Sequence, residues 1–185
     1  MFIGFYWSNR EETRNACGRL LFDVLSEMSE VSSVFKTWYA KGRTKKASFE
    51  AIDTSAESLA LCLKSSRNDY DSSEISELGF SASLWNGNDQ FPVSIGATIG
   101  GYSEYVRNSL VIQLPTRETV TQYLSDSELR TLFTKLVTRI QPDNGAISSY
   151  TYLDKHDEAM PWEAGWLVYS SVNATTVETG SIEIL

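Results

Sequence analysis

Apolar and polar residues alternate most regularly between Gly79 and Pro115. Val93, Ile95, Ala97 and Ile99 fall on one side of an extended chain, with Ser94, Gly96 and Thr98 on the other. A period of two predicts a strand with one face in a core and the other wetter. Phe80, Ala82 and Leu84 alternate with Ser81 and Ser83 before it, and Leu110, Ile112 and Leu114 alternate with Val111 and Gln113 after it. Asn86-Gly87-Asn88-Asp89 and Gly100-Gly101 separate the three runs, and Gly and Asn tolerate the positive φ of tight turns. The pattern predicts three consecutive strands in an antiparallel meander.

A period of three to four governs other stretches. Cys17, Leu20, Leu21, Val24, Leu25 and Met28 predict a long helix after a first strand at residues 2 to 7. Ser8-Asn9 are its expected capping groups, and Glu11 and Glu12 suit the positive end of its dipole. Thr54 or Ser55 caps a short second helix packed through Leu59, Cys62 and Leu63. Leu129, Leu132, Phe133, Leu136, Val137 and Ile140 predict a third, preceded by the capping-box spacing Ser125-Asp126-Ser127-Glu128 and stopped by Pro142.

Beyond it, Asp143-Asn144-Gly145 predicts a turn, Ala146 to Leu153 and Gly165 to Ser171 predict strands, and Thr175 to Leu185 reads as an edge strand or a frayed tail. Residues 65 to 73 are polar and aperiodic and lead to Glu74 and Glu77, which predicts an exposed acidic loop. The expected fold is α+β: an antiparallel sheet with a central three-strand meander, packed by about three helices, in one domain spanning residues 1–185.

Charge narrows the partners. Sixteen Lys and Arg against 24 Asp and Glu give a formal net charge of −8. Such a surface repels a phosphate backbone, so direct nucleic-acid binding is not expected, whereas a basic protein partner is. The one basic run, Lys41 to Lys46, reads as an exposed loop balanced by acids. No apolar run approaches the roughly 18 residues that cross a bilayer. The apolar opening Met1 to Trp7 reads as a strand rather than a leader, so residence in the cytoplasm is expected. Cys17 and Cys62 sit among apolar neighbours in helical stretches and are expected to be buried free thiols.

Chemistry is sparse. The single histidine, in Asp154-Lys155-His156-Asp157-Glu158, lacks the further His or clustered Cys that a zinc site requires. No P-loop, dinucleotide fingerprint, G-x-S-x-G elbow or H-E-x-x-H pair occurs, and no cofactor or metal is expected. Trp7, Trp38, Trp85, Trp162 and Trp166 fall near strand ends or in turns, where a ring packs while its N–H meets a polar partner. Most are expected to be structural, yet aromatics near strand ends on an acidic protein also suit protein binding.

Four stretches taken in order resemble the immunity protein 52 family: Gly4-Phe5-Tyr6-Trp7-Ser8-Asn9-Arg10-Glu11-Glu12, Trp38-Tyr39 with Gly42, Leu84-Trp85-Asn86-Gly87, and Gly165-Trp166-Leu167-Val168-Tyr169-Ser170. The similarity runs from the first residues to about Ser171. It implies an α+β protein encoded beside a toxin of a bacterial polymorphic toxin system, often one with a restriction-endonuclease-like nuclease domain. Such a toxin is delivered by a contact-dependent route such as type VI secretion, and the immunity protein protects the producer and its kin.

On this reading the chain is not an enzyme but a nuclease inhibitor. It binds its cognate toxin one to one or as a small oligomer, a homodimer included, and excludes DNA. The expected toxin contacts are Asp69, Asp71, Glu74 and Glu77 in one acidic segment and Asp154, Asp157, Glu158 and Glu163 in another. Two alternatives stay open: a small hydrolase using the carboxylate pair Asp157 and Glu158, and an adaptor protein unrelated to toxins.

Overall fold

The computed structural model describes residues 1–40, 51–155 and 160–178. The basic run at 41–46, the residues His156, Asp157 and Glu158, and the tail from 179 lie outside the described residues.

The chain begins with β1 (Phe2–Trp7), α1 (Arg14–Val31), β2 (Tyr39–Ala40), α2 (Ala56–Cys62) and β3 (Lys64–Ser65). The meander follows as β4 (Phe80–Trp85), β5 (Ser94–Ile99) and β6 (Asn108–Gln113). Then come α3 (Arg117–Val120), α4 (Asp126–Ile140), β7 (Asn144–Ser148), α5 (Tyr150–Leu153), β8 (Leu167–Ser170) and β9 (Thr175–Glu178). The strands form one nine-stranded antiparallel sheet in the order β2-β4-β5-β6-β1-β7-β8-β9, with β3 beside β2 on the outer edge of β4. The first strand of the chain therefore lies in the interior, between β6 and β7.

Register explains how the two faces divide. Leu84 pairs with Ile95, Ile95 with Ile112, Ile112 with Ile3, Ile3 with Ile147 and Ile147 with Leu167. Paired residues share a face, so this row crosses the sheet as one apolar band. Helices α1, α2 and α4 cover it, and Leu21, Val24, Met28, Leu59, Leu132, Phe133 and Leu136 join it in one buried core. Phe133 stacks on Phe5 at 5.3 Å between ring centroids. Gly18 lets α2 approach α1 closely: a Cβ there would stand 2.6 Å from both the Ala56 carbonyl oxygen and the Ala60 Cβ.

The other face is covered over only part of its width. Tyr150 packs on Phe2 and bonds the Gln113 side chain, and Trp162 packs on Tyr6, so the segment after β7 crosses over β1. Over β4 and β5 the positions on this face are small: Ser81, Ser83 and Gly96 are exposed, and Thr98 is half-buried.

Several expectations are corrected in detail. There are five α-helices among the described residues rather than about three, because α3 and α5 are single turns. The cap of α1 is Thr13, whose side chain accepts from the Ala16 N–H, and not Ser8-Asn9. Ser8 instead gives its N–H and hydroxyl to Asp143, 135 residues away. The expected turn at Asn144-Gly145 lies within β7, and the expected strand to Leu153 ends at Ser148. Ser149 then accepts from the Tyr152 N–H and starts α5, so a local cap overrides the β-branched and aromatic character of Tyr150 to Tyr152. Cys17 is buried as expected, whereas Cys62 is only half-buried. Thr175 to Glu178 is an edge strand. The capping box is present at Ser125 and Glu128.

Candidate functional site

At one end of the sheet β4 and β6 begin, β5 ends, and β1 gives way to α1. Two long connections meet there: residues 66–79 before β4 and residues 100–107 between β5 and β6. Gly79 and Gly100 both have positive φ, and a Cβ on Gly79 would lie 2.4 Å from the Gly101 nitrogen, so the two connections pass with their backbones nearly touching.

The first connection is organised rather than loose. Arg67 and Glu74 form an isolated antiparallel bridge, and the Ile75 N–H donates to the Ser66 carbonyl at 2.9 Å. Inside it, the Asn68 N–H donates to the Ser73 carbonyl and the Ser72 N–H to the Asn68 carbonyl, both at 2.9 Å. Asn68 Oδ1 accepts from the Tyr70 N–H at 2.9 Å, and Asp71 Oδ1 accepts from the Ser73 hydroxyl and N–H at 2.6 and 2.9 Å. The Ser73 bonds to the charged form hold the Asp71 carboxyl below its ordinary value, so Asp71 stays ionised under mild acid. Asn68 and Asp71 each satisfy the backbone N–H two residues on, and Ser73 adds its hydroxyl to Asp71, which is why a segment with no apolar period still has a defined shape.

The second connection is tied to the first. The N–H groups of Tyr102 and Ser103 donate to the Glu77 carbonyl at 3.0 and 2.9 Å, and the hydroxyls of Ser76 and Tyr102 share a hydrogen bond of 3.0 Å. Buried Asn108 secures its base, accepting from the Gly101 N–H at 2.8 Å and donating to the carbonyls of Gly101 and Ser8 at 2.9 and 3.0 Å.

The sequence-predicted residues divide into two groups. Asp69, Asp71, Glu74 and Glu77 are all exposed and share the 66–79 connection. Of the second segment, Asp154 is exposed in the turn after α5, and Glu163 is exposed and accepts from the Met160 N–H at 3.0 Å. Asp157 and Glu158 lie outside the described residues. Glu163 adjoins Trp162, whose ring lies 4.6 Å from the guanidinium of Arg107, so this part of the second segment leans on the base of the 100–107 connection.

The tryptophans are mostly core. Trp7, Trp38 and Trp166 are fully buried, with Trp38 Nε1 donating to the Phe35 carbonyl and Trp166 Nε1 to Glu178, both at 2.8 Å. Trp85 and Trp162 are half-buried and pack against Tyr39 and Tyr6. The aromatics that do reach solvent at this end are Tyr70, Tyr102 and Tyr105, which the sequence reading passed over. Their signal was present: tyrosines placed among Ser, Asn, Asp and Gly between strands have no periodic core to join.

Among the described residues little suits covalent chemistry. Burial and the neighbouring Glu12 carboxylate push the Cys17 thiol up to about 12, which leaves it protonated. Among the described residues no group of three or more His, Cys, Asp or Glu side chains gathers to hold a metal ion. A groove of about 480 Å³ between α1 and α4 is lined by Glu27, Glu30, Lys135 and Arg139, but these charges pair with one another at 2.6 to 2.8 Å. No described helix is long and apolar enough to cross a membrane.

The model of one protein family, immunity protein 52, matches residues 1–179. No curated protein matches the chain.

Proposed function

The chain belongs to the immunity protein 52 family, and from that membership we propose that it binds and neutralises a cognate bacterial toxin, a restriction-endonuclease-like nuclease, without itself being an enzyme. The match across residues 1–179 is the observation that carries this reading. Charge supplies the physics of the inhibition. A nuclease presents a basic groove to DNA, and a protein of net charge −8 is attracted to that groove by the same field that attracts the substrate. Occupying it blocks the active site or the approach of DNA.

Of the expected contacts, Asp69, Asp71, Glu74 and Glu77 support this reading best, since they stand exposed on one connection of defined shape. Asp154 and Glu163 extend the same acidic character along the segment that crosses the second face. The complex forms in the cytoplasm of the producing cell, where a toxin delivered by a neighbour, by type VI secretion or another contact-dependent route, has to be met.

A cleavage assay tests the mechanism. The toxin domain encoded beside this chain's gene is incubated with plasmid DNA and increasing amounts of the protein. Cleavage is expected to stop near one equivalent, and reversing Asp69, Asp71, Glu74 and Glu77 to lysine is expected to raise the amount required. Full cleavage at a large excess of the unaltered protein contradicts the proposal, and unchanged inhibition by the reversed variant removes these four residues from the contact.

A further inference from the structure

Two large aromatic side chains stand in water on connections that are hydrogen-bonded to each other at one end of the sheet. Tyr70 is 100% exposed and Tyr105 is 87% exposed, while Tyr102, 38% exposed, is held by Ser76. The first connection draws heavily on Ser, Asp, Asn and Tyr, and the second on Gly, Tyr and Ser. This is the composition by which binding loops join stiff, amphipathic contact area to adaptable hydrogen bonding. The loops are also built before any partner arrives. Tyr70 projects from a turn closed by the Asn68 and Ser73 backbones and by the Arg67 guanidinium on the Ser72 carbonyl at 3.0 Å. Tyr105 follows Ser103, whose hydroxyl accepts its N–H and whose own N–H is fixed to Glu77. A loop already ordered loses little freedom on docking.

We propose that Tyr70 and Tyr105 are the anchors by which this end of the molecule grips an arginine-bearing surface of the toxin. The inference rests on the function proposed above and names the surface and the chemistry that recognise the partner. Asp69 and Asp71 flank Tyr70, and Glu104 precedes Tyr105. A guanidinium laid over an exposed tyrosine ring therefore has a carboxylate within a residue of it, which joins a cation–π contact to a charge-assisted hydrogen bond. Lysine satisfies the charge but stacks less well, so arginine is the preferred partner residue. The fold uses the same pairing internally, with Arg107 over Trp162 at 4.6 Å and Arg14 over Phe80 at 4.6 Å. Among the described residues no cation stands over Tyr70 or Tyr105, so the ring is present and the cation is left for the partner to bring.

The test is the affinity of the full-length protein for the adjacent gene's toxin domain, purified as a catalytically inactive variant, measured by calorimetry. The Tyr70→Ala/Tyr105→Ala double variant is expected to bind at least about 30-fold more weakly, as for interface anchors. The Tyr70→Phe/Tyr105→Phe variant, which keeps both ring faces, is expected to stay within about threefold of the unaltered protein. Leu61→Ala, at a side chain 84% exposed on α2 and outside both acidic segments, is the control and is expected to bind normally. Binding by the double alanine variant within about threefold overturns the inference while leaving the immunity function standing. Absence of binding by the unaltered protein overturns both.

Discussion

On the helix-covered face Phe5, Phe35, Phe91 and Phe133 are wholly buried and meet one another or their neighbours ring to ring, whereas at the loop end of the same sheet Tyr70 and Tyr105 stand in water. The first region has used its aromatic surface to fold. The second holds its aromatics out on turns closed by their own backbone and side-chain hydrogen bonds, so their apolar area contributes nothing to the stability of the free chain. Stability and recognition are thereby assigned to different residues, and substitutions separate them.

The largest expected effect lies in the core. Phe133→Ala removes a fully buried ring that stacks on Phe5, and equilibrium unfolding in urea is expected to show a loss of about 3–5 kcal/mol. A loss below about 1 kcal/mol would mean that the helix face is looser than its burial indicates.

A smaller effect is expected at Glu27, which is buried at the α1–α4 contact and accepts from Lys135 at 2.8 Å and Arg139 at 2.6 Å. Hydrogen bonds from Lys135, then from Arg139, outweigh its desolvation and hold the carboxyl below its ordinary value of 4.5. A carboxyl lowered in the folded state contributes stability that is fully present above the unfolded value and is lost as pH falls through the folded one. Resistance to thermal unfolding is therefore expected to fall below about pH 4.5, and less steeply in Glu27→Gln than in the unaltered protein. Equal acid slopes would contradict this.

The smallest change is expected at the loop end, where Tyr70→Ala with Tyr105→Ala should alter stability by no more than about 0.5 kcal/mol. A loss several times larger would show these rings to be structural and would erase the contrast between the two regions.

What the sequence showed follows the same division. The meander was legible because Phe80 to Leu84, Val93 to Ile99 and Leu110 to Leu114 each alternate against one core. Helix α4 was legible because its period and its capping box are local. The start of α1 was not, because Ser8 is drawn away by Asp143 across 135 residues of sequence. Strand β7 was read too long, because aromatic and β-branched residues at 150–152 outweighed the cap supplied by Ser149. The exposure of Asp69, Asp71, Glu74 and Glu77 was evident from their polar surroundings. That their connection is laced to the Tyr102 loop depends on a backbone approach at Gly79 and Gly101 that no local pattern encodes.

Neutralisation of a toxin is the central proposal, and co-expression with the product of the adjacent gene, taken as the candidate toxin, addresses it most directly. Cells carrying both genes are expected to grow where the toxin alone kills, and the two proteins are expected to purify as one complex from those cells. Death of cells making both proteins in soluble form, with no complex recovered, would contradict the account.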